Sequence, residues 1–208
     1  MKKYIITSLA VFCAVNTTAQ IKTVKLDPAK IPAGIKYEGK TKNAVSWTDE
    51  AGDNIVLTTE AGPFKTKNAS DGDEQDAALY AYHYILQGDS VKLIWKLNDQ
   101  TKACPVDINV NFIKNSFAVT DLDKNGTAEI WLMYRITCRG DVSPATMKII
   151  MYEGNNKYAV RGTNRVKLSE TEHTGGEYKF DEAFTKGPEL FRKYASDLWK
   201  KNIMETWD

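Results

Sequence analysis

Asp121, Asp123 and Asn125 alternate along the chain, Gly126 follows, and Glu129 closes the stretch Asp121-Leu122-Asp123-Lys124-Asn125-Gly126-Thr127-Ala128-Glu129. Alternating oxygen side chains, a glycine for the sharp turn and a closing carboxylate are what a short loop needs to wrap a hard cation such as Ca²⁺. The Thr127 carbonyl would add a backbone ligand. Carboxylates crowded this way repel one another unless a cation lies between them. The competing reading is a polar turn built on Asn125-Gly126. Of the two, the loop is read as a metal site with Asp121, Asp123, Asn125 and Glu129 as side-chain ligands and Ca²⁺ as a structural cofactor. No catalytic residue is assigned.

The spacing excludes an EF-hand. Its twelfth position falls on Leu132, where a bidentate Glu is required, and a strand follows instead of a helix. Over residues 117–134 the pattern resembles the Ca²⁺ loops of FG-GAP-type repeats, which lie between two strands of a propeller blade. That resemblance implies the same four ligands. In the first half, Asp49, Gly52, Asp53 and Asn54 are out of step with it, and the run Asp71-Gly72-Asp73-Glu74-Gln75-Asp76 reads as a solvated loop.

Other residues offer binding chemistry. Tyr80, Tyr82 and Tyr84 share one face of a strand. Exposed, three rings in a row stack on sugars or form a flat interaction surface; buried, they are a packed cross-strand stripe. They are carried as a candidate ligand surface. So are Arg139 and Asp141 in the Arg139–Pro144 segment, where a polar loop at a sheet end suits a ligand, although Asp141 and Ser143 are equally at home capping a turn. His83 lies on the opposite strand face with Leu79, Ala81 and Ile85, the usual place of a core histidine. His173 sits in a Glu/Thr/Gly-rich loop, so nucleophilic triads have little to build on. Acidic residues are plentiful, which leaves open a carboxylate pair for glycoside hydrolysis.

These residues must be positioned by a chain that carries an export address. Lys2 and Lys3 precede an apolar run from Tyr4 to Val15, and Thr17-Thr18-Ala19 offers small residues for cleavage, so residues 1–19 read as a signal peptide. Phe12 is too bulky to precede a lipidated Cys13. No later run approaches the ~18 apolar residues of a membrane span. The expected location is the periplasm, the cell envelope or the medium. Removing Lys2 and Lys3 leaves 26 basic residues against 27 acidic ones, a net charge of −1, which argues against nucleic acid as a partner. Cys104 and Cys138 remain. In an oxidising compartment the pair reads as a disulfide rather than two buried thiols.

Residues 20–208 read as one exported β-rich domain. Pro28, Pro32 and Gly34 keep residues 20–42 extended. Two similar halves follow, about 43–98 and 105–165, each an antiparallel meander with turn signals such as Gln87-Gly88-Asp89-Ser90 and Gly154-Asn155-Asn156. Val91, Leu93, Trp95 and Leu97 mark one apolar face. Ile130, Leu132, Tyr134 and Ile136 are apolar, and so are Trp131 and Met133 between them, so that sheet needs a second covering layer. An amphipathic helix over about 188–204 supplies it, with Leu190, Phe191, Tyr194, Leu198 and Trp199 on one side. The expected fold is mainly β: two meanders closed as a sandwich, partial barrel or propeller-like pair, plus the C-terminal helix.

The export signal, the acidic loop, the Cys138 to Tyr152 stretch and the tail from Leu198-Trp199 to Glu205-Thr206-Trp207 together resemble small exported Bacteroidota proteins labelled surface polysaccharide biosynthesis proteins. The resemblance implies an envelope-glycan setting and no defined catalytic residues. The expected function is therefore a non-catalytic envelope protein that binds a surface glycan or a protein partner. The alternatives are a polysaccharide-processing enzyme acting through carboxylates and an inhibitor of another exported enzyme.

Overall fold

A computed structural model describes residues 21–67 and 72–205. The export segment, Asp71 and the Thr206-Trp207 tail lie outside the described residues.

The protein is mainly β, an antiparallel sandwich of two sheets rather than a closed barrel. The first sheet holds β1 (Val24–Lys25), β2 (Lys40–Asp49), β3 (Gly52–Lys65), β4 (Gln75–Gln87) and β5 (Ser90–Cys104), in that spatial order. The next strands are β6 (Ile108–Phe112), β7 (Ala118–Thr120), β8 (Glu129–Cys138), β9 (Thr146–Glu153) and β10 (Asn156–Thr163). A short ribbon, β11 (Arg165–Lys167) and β12 (His173–Gly175), precedes β13 (Tyr178–Phe180). The second sheet runs β13-β10-β9-β8-β6, with β7 also paired to β8. Two helices end the chain, α1 (Glu182–Lys186) and α2 (Glu189–Asn202). Among the described residues no helix is long and apolar enough to cross a membrane.

Side-chain alternation sets the layers. Ile130, Leu132 and Tyr134 of β8 face the first sheet and join Trp47, Val56, Leu79, Trp95 and Leu97 in the inter-sheet core. Trp131 and Met133, one residue out of phase, face the other way. There they meet Met147, Ile149, Phe184, Phe191, Ala195 and Trp199, so the two-sided apolar pattern of β8 is answered by the helices. Phe191, Ala195 and Trp199 are fully buried at four-residue spacing, whereas Leu190 remains 41% exposed. Asp181 caps α1, its carboxylate accepting from Phe184 N at 3.0 Å. Arg192 holds α2 to α1, Nη1 donating to the Phe184 and Gly187 carbonyls at 2.8 Å each. Pro188 occupies the N-cap of α2, just outside the helix.

The apolar alternation expected along residues 91–97 is broken. Register slips between the pairs His83–Trp95 and Tyr84–Leu93, which makes Ile94 an extra residue. A one-residue slip reverses the faces, so Trp95 and Leu97 point into the sandwich while Leu93 and Val91 share the outer face with Tyr84 and Leu86. That outer face is not open. Residues 26–39 run over it as a strap, with Leu26, Ile31 and Ile35 packed on it. The strap is not extended throughout, since Pro28–Lys30 form a 3₁₀ turn capped by Asp27.

Candidate functional site

The acidic loop connects β7 to β8, and its two ends are held side by side by the Thr120–Glu129 pairing. Its positive-φ positions are Lys124 at 59° and Gly126 at 81°, the latter a conformation that favours glycine. Carboxylate oxygens of Asp121, Asp123 and Glu129 lie within 4.8 Å of one another, and this group could hold a metal ion. Glu129 is fully buried. It accepts from Thr120 Oγ1 at 2.6 Å and from Leu122 N at 2.9 Å through both oxygens. Burial pushes its pKa up, the Asp123 charge adds to that, and the hydrogen bonds oppose it. Asp121 Oδ2 accepts from Gly126 N at 3.3 Å, while its Oδ1 is buried with no partner. A divalent cation would answer both the repulsion and the orphan oxygen.

Asn125 sits differently from the other three. Its Oδ1 accepts from Thr127 N at 2.8 Å, and its Nδ2 donates to Asp123 at 3.1 Å and to Glu153 Oε1 at 2.7 Å. Its amide thus sets the turn and orients Asp123. Glu153, the register partner of Glu129 on the neighbouring strand β9, was not legible as a neighbour because strand register is invisible in local spacing.

The first-half turn that fell out of step with the ligand pattern docks on this loop. Glu50 N donates to Gly126 O at 3.3 Å, and Asp49 Oδ2 accepts from Ala128 N at 3.3 Å and from Trp47 Nε1 at 2.9 Å. A Cβ on Gly126 would lie 2.8 Å from Glu50 Cδ, which the flexible Glu50 side chain can relieve by moving, so it is the positive φ that favours glycine here. The loop therefore bolts one sheet to the other. Asp49 Oδ1 also accepts from Asn54 Nδ2 at 2.8 Å, and Asn54 Oδ1 lies 2.7 Å from His83 Nε2.

His83 is a core histidine, 4% exposed, between Trp47 and Trp95 with ring centroids at 5.6 and 5.4 Å. Burial lowers its pKa to about 4, only partly offset by the Asp49 charge. The unfolded chain binds the proton near the usual 6.5 and the folded chain does not. Stability is therefore full above pH 6.5 and is expected to fall as pH drops towards 4, by about 3 kcal/mol in the limit. Urea denaturation across that range checks this. A His83→Phe variant should be less stable at pH 7 but show a flatter acid limb; an unchanged limb would remove His83 as its cause.

The tyrosines are stacked but covered. Tyr80, Tyr82 and Tyr84 are 9%, 3% and 5% exposed, with successive ring centroids 6.1 and 6.4 Å apart. Tyr84 Oη donates to Lys36 O at 2.5 Å, and Tyr82 Oη accepts from Glu38 N at 3.1 Å. Lys96 Nζ lies 4.9 Å from the Tyr80 centroid and 2.7 Å from Glu38 Oε1. An open aromatic platform is thus corrected to a ladder satisfied by the strap, because the apolar Leu26, Ile31 and Ile35 lie against that face instead of solvent.

Cys104 and Cys138 form a disulfide with Cα atoms 5.7 Å apart. It joins the end of β5 in one sheet to the end of β8 in the other, opposite the acidic loop. Beside it, Arg139 Nη2 contacts both oxygens of Glu205 at 2.6 and 2.7 Å, and Asn164 Nδ2 donates to Glu205 Oε2 at 2.8 Å. Asp141 takes the turn-capping role, accepting from the Ser143 N–H and O–H; these bonds hold its pKa below the usual carboxylate value.

Arg139 and Asp141 border a polar cleft of about 360 Å³ that also takes in Asn109, Thr137 and Glu205. It continues into a groove of about 460 Å³ beside the end of α2, lined by Asn109, Asn111, Lys114, Arg135, Thr137 and Lys201 among others. These groove residues were missed in the sequence. The available signal was Asn109 and Asn111 two apart in a strand, where asparagine is disfavoured. No family model matches the chain, and no curated protein or solved structure is significantly similar to it.

Proposed function

We propose that the chain is an exported, non-catalytic binding or accessory protein of the cell envelope that engages a surface glycan or a protein partner, with a structural Ca²⁺ in the Asp121–Glu129 loop. The contrast between its carboxylates and its groove carries this reading. Carboxylate-driven glycoside hydrolysis needs one carboxyl kept protonated near neutrality beside a second in the same cleft. The carboxyl that burial pushes upward, Glu129, is sealed within the loop by Thr120 and Leu122. At the cleft, Asp141 is held low by Ser143 and Glu205 is neutralised by Arg139. What the groove offers instead is amide and hydroxyl side chains, the chemistry of recognition. The disulfide supports export, since such bonds persist in oxidising compartments.

Affinity electrophoresis through gels containing bacterial envelope polysaccharide, paired with a reducing-end assay, tests the binding reading. Retardation without new reducing ends is expected; cleavage abolished by a carboxylate variant would overturn it. For the cation, stability in 10 mM Ca²⁺ should exceed that in EGTA by about 1.4–2.7 kcal/mol, given Kd of roughly 10⁻⁴–10⁻³ M, with a matching rise in melting temperature. Coincident curves would remove Ca²⁺ from the proposal.

A further inference from the structure

We propose that the groove beside the C-terminal end of α2 binds a carboxylate-bearing, anionic oligosaccharide. This rests on the glycan reading above and adds the class of glycan and its seat.

The floor is the outer face of β6 and β8, beyond the part that α2 covers. Asn109 pairs across with Thr137, and Asn111 with Arg135, so four polar side chains share one patch of sheet. Among the described residues, no side-chain bond engages Asn109, Asn111 or Thr137, and none engages Lys114 or Lys201 on the walls. Each amide offers a donor and an acceptor, and the threonine adds a hydroxyl, which is the set that reads sugar hydroxyls. The pattern is costly for a strand, because asparagine contributes little to strand stability.

Charge then selects the ligand. Arg135 is fixed on the floor, its Nη2 donating to Asn202 O at 2.8 Å and Met204 O at 3.0 Å. With Lys114 and Lys201 it makes three cations, while the lining carboxylate, Glu205, is matched by Arg139 at 2.6 Å. The groove is therefore net positive within a chain whose formal charge is only +1. Acidic groups on a ligand would meet the lysines as its hydroxyls meet the amides. An acidic peptide is the weaker fit. Peptides gain affinity at a sheet edge by adding a strand, and the edge N–H of Phe112 is already taken by Glu60 Oε1 at 2.8 Å.

The probe is oligogalacturonate, titrated calorimetrically at low salt against the full mature chain. A maltooligosaccharide of equal length and polyglutamate are the comparisons. Oligogalacturonate should bind, weaken as salt rises, and bind best of the three. Asn109→Ala with Asn111→Ala should weaken it about thirtyfold, as two lost hydrogen bonds of about 1 kcal/mol each imply. Lys114→Ala with Lys201→Ala should weaken it and flatten the salt dependence; thermal melts confirm that both variants fold. Equal binding of maltooligosaccharide, stronger binding of polyglutamate, or variants that bind as wild type overturn the proposal. If oligogalacturonate fails while a neutral polysaccharide still retards the protein in gels, this inference falls and the glycan-binding reading stands.

Discussion

Replacing Glu129 with alanine is expected to cost about 3 kcal/mol and to abolish any stabilisation by Ca²⁺. The stability loss follows from the hydrogen bonds. Glu129 is fully buried and accepts from Leu122 N and Thr120 Oγ1, so its removal leaves two part-buried donors without partners, at the lower end of ~1–3 kcal/mol each, and a void beside them. For a chain of this length the melting temperature should fall by roughly 6–12 °C. The loss of Ca²⁺ response follows from the charge, since Glu129 supplies one of the three carboxylates that converge. Glu129→Gln separates the two effects. An amide retains an acceptor for the loop N–H and most of the shape, so it should keep more of the stability while still losing the cation. Paired melts in EGTA and in millimolar Ca²⁺ read both. If Glu129→Gln retains the full Ca²⁺ shift, the loop is not where the cation binds.

The legible parts were those that depend on local spacing. Alternation in β8 required cover on both faces, and the inter-sheet core and the helices supply it. The loop carboxylates were readable because ligands within nine residues must fold together whatever surrounds them. What stayed hidden was set by neighbours distant in sequence. Tyr80, Tyr82 and Tyr84 share a face as expected, but only packing of residues 26–39 decides that the face is covered. The Ile94 bulge inverts Leu93 and Val91, and nothing in an apolar run announces an inserted residue. The groove joins β6, β8 and the last turn of α2, so its members are scattered over more than ninety positions, from Asn109 to Lys201.

The loop acquires its mechanical sense from where it sits. It ties the Asp49–Glu50 turn of the first sheet to β8 of the second at one end of the sandwich. A cation there would tighten the bolt between the sheets as well as the loop itself, which is why its effect should appear in global melting.

The disulfide is the fastener at the opposite end, and removing it should produce the other large loss. Cys104→Ala with Cys138→Ala is expected to cost about 3–4 kcal/mol, from the loop entropy restored to the unfolded chain across a sequence separation of 34. The half-cystines differ in access: Cys104 is 1% exposed, while Cys138 lies at the surface, where a reductant can reach it. The loss should also be felt beside the bridge. Cys138 pairs with Ile108, and the adjoining Arg139 holds Glu205 at the cleft wall, so the bridge fixes the end of β8 that shapes the binding groove. Hydrogen exchange in Ile108–Phe112 should therefore accelerate more than exchange around Glu129, at the far end of β8. Thiol labelling of the denatured, non-reduced wild-type protein should find no free Cys104 or Cys138. Two reactive thiols in exported protein, or a double variant that melts with the wild type, would show that the sheets are held together without the bridge.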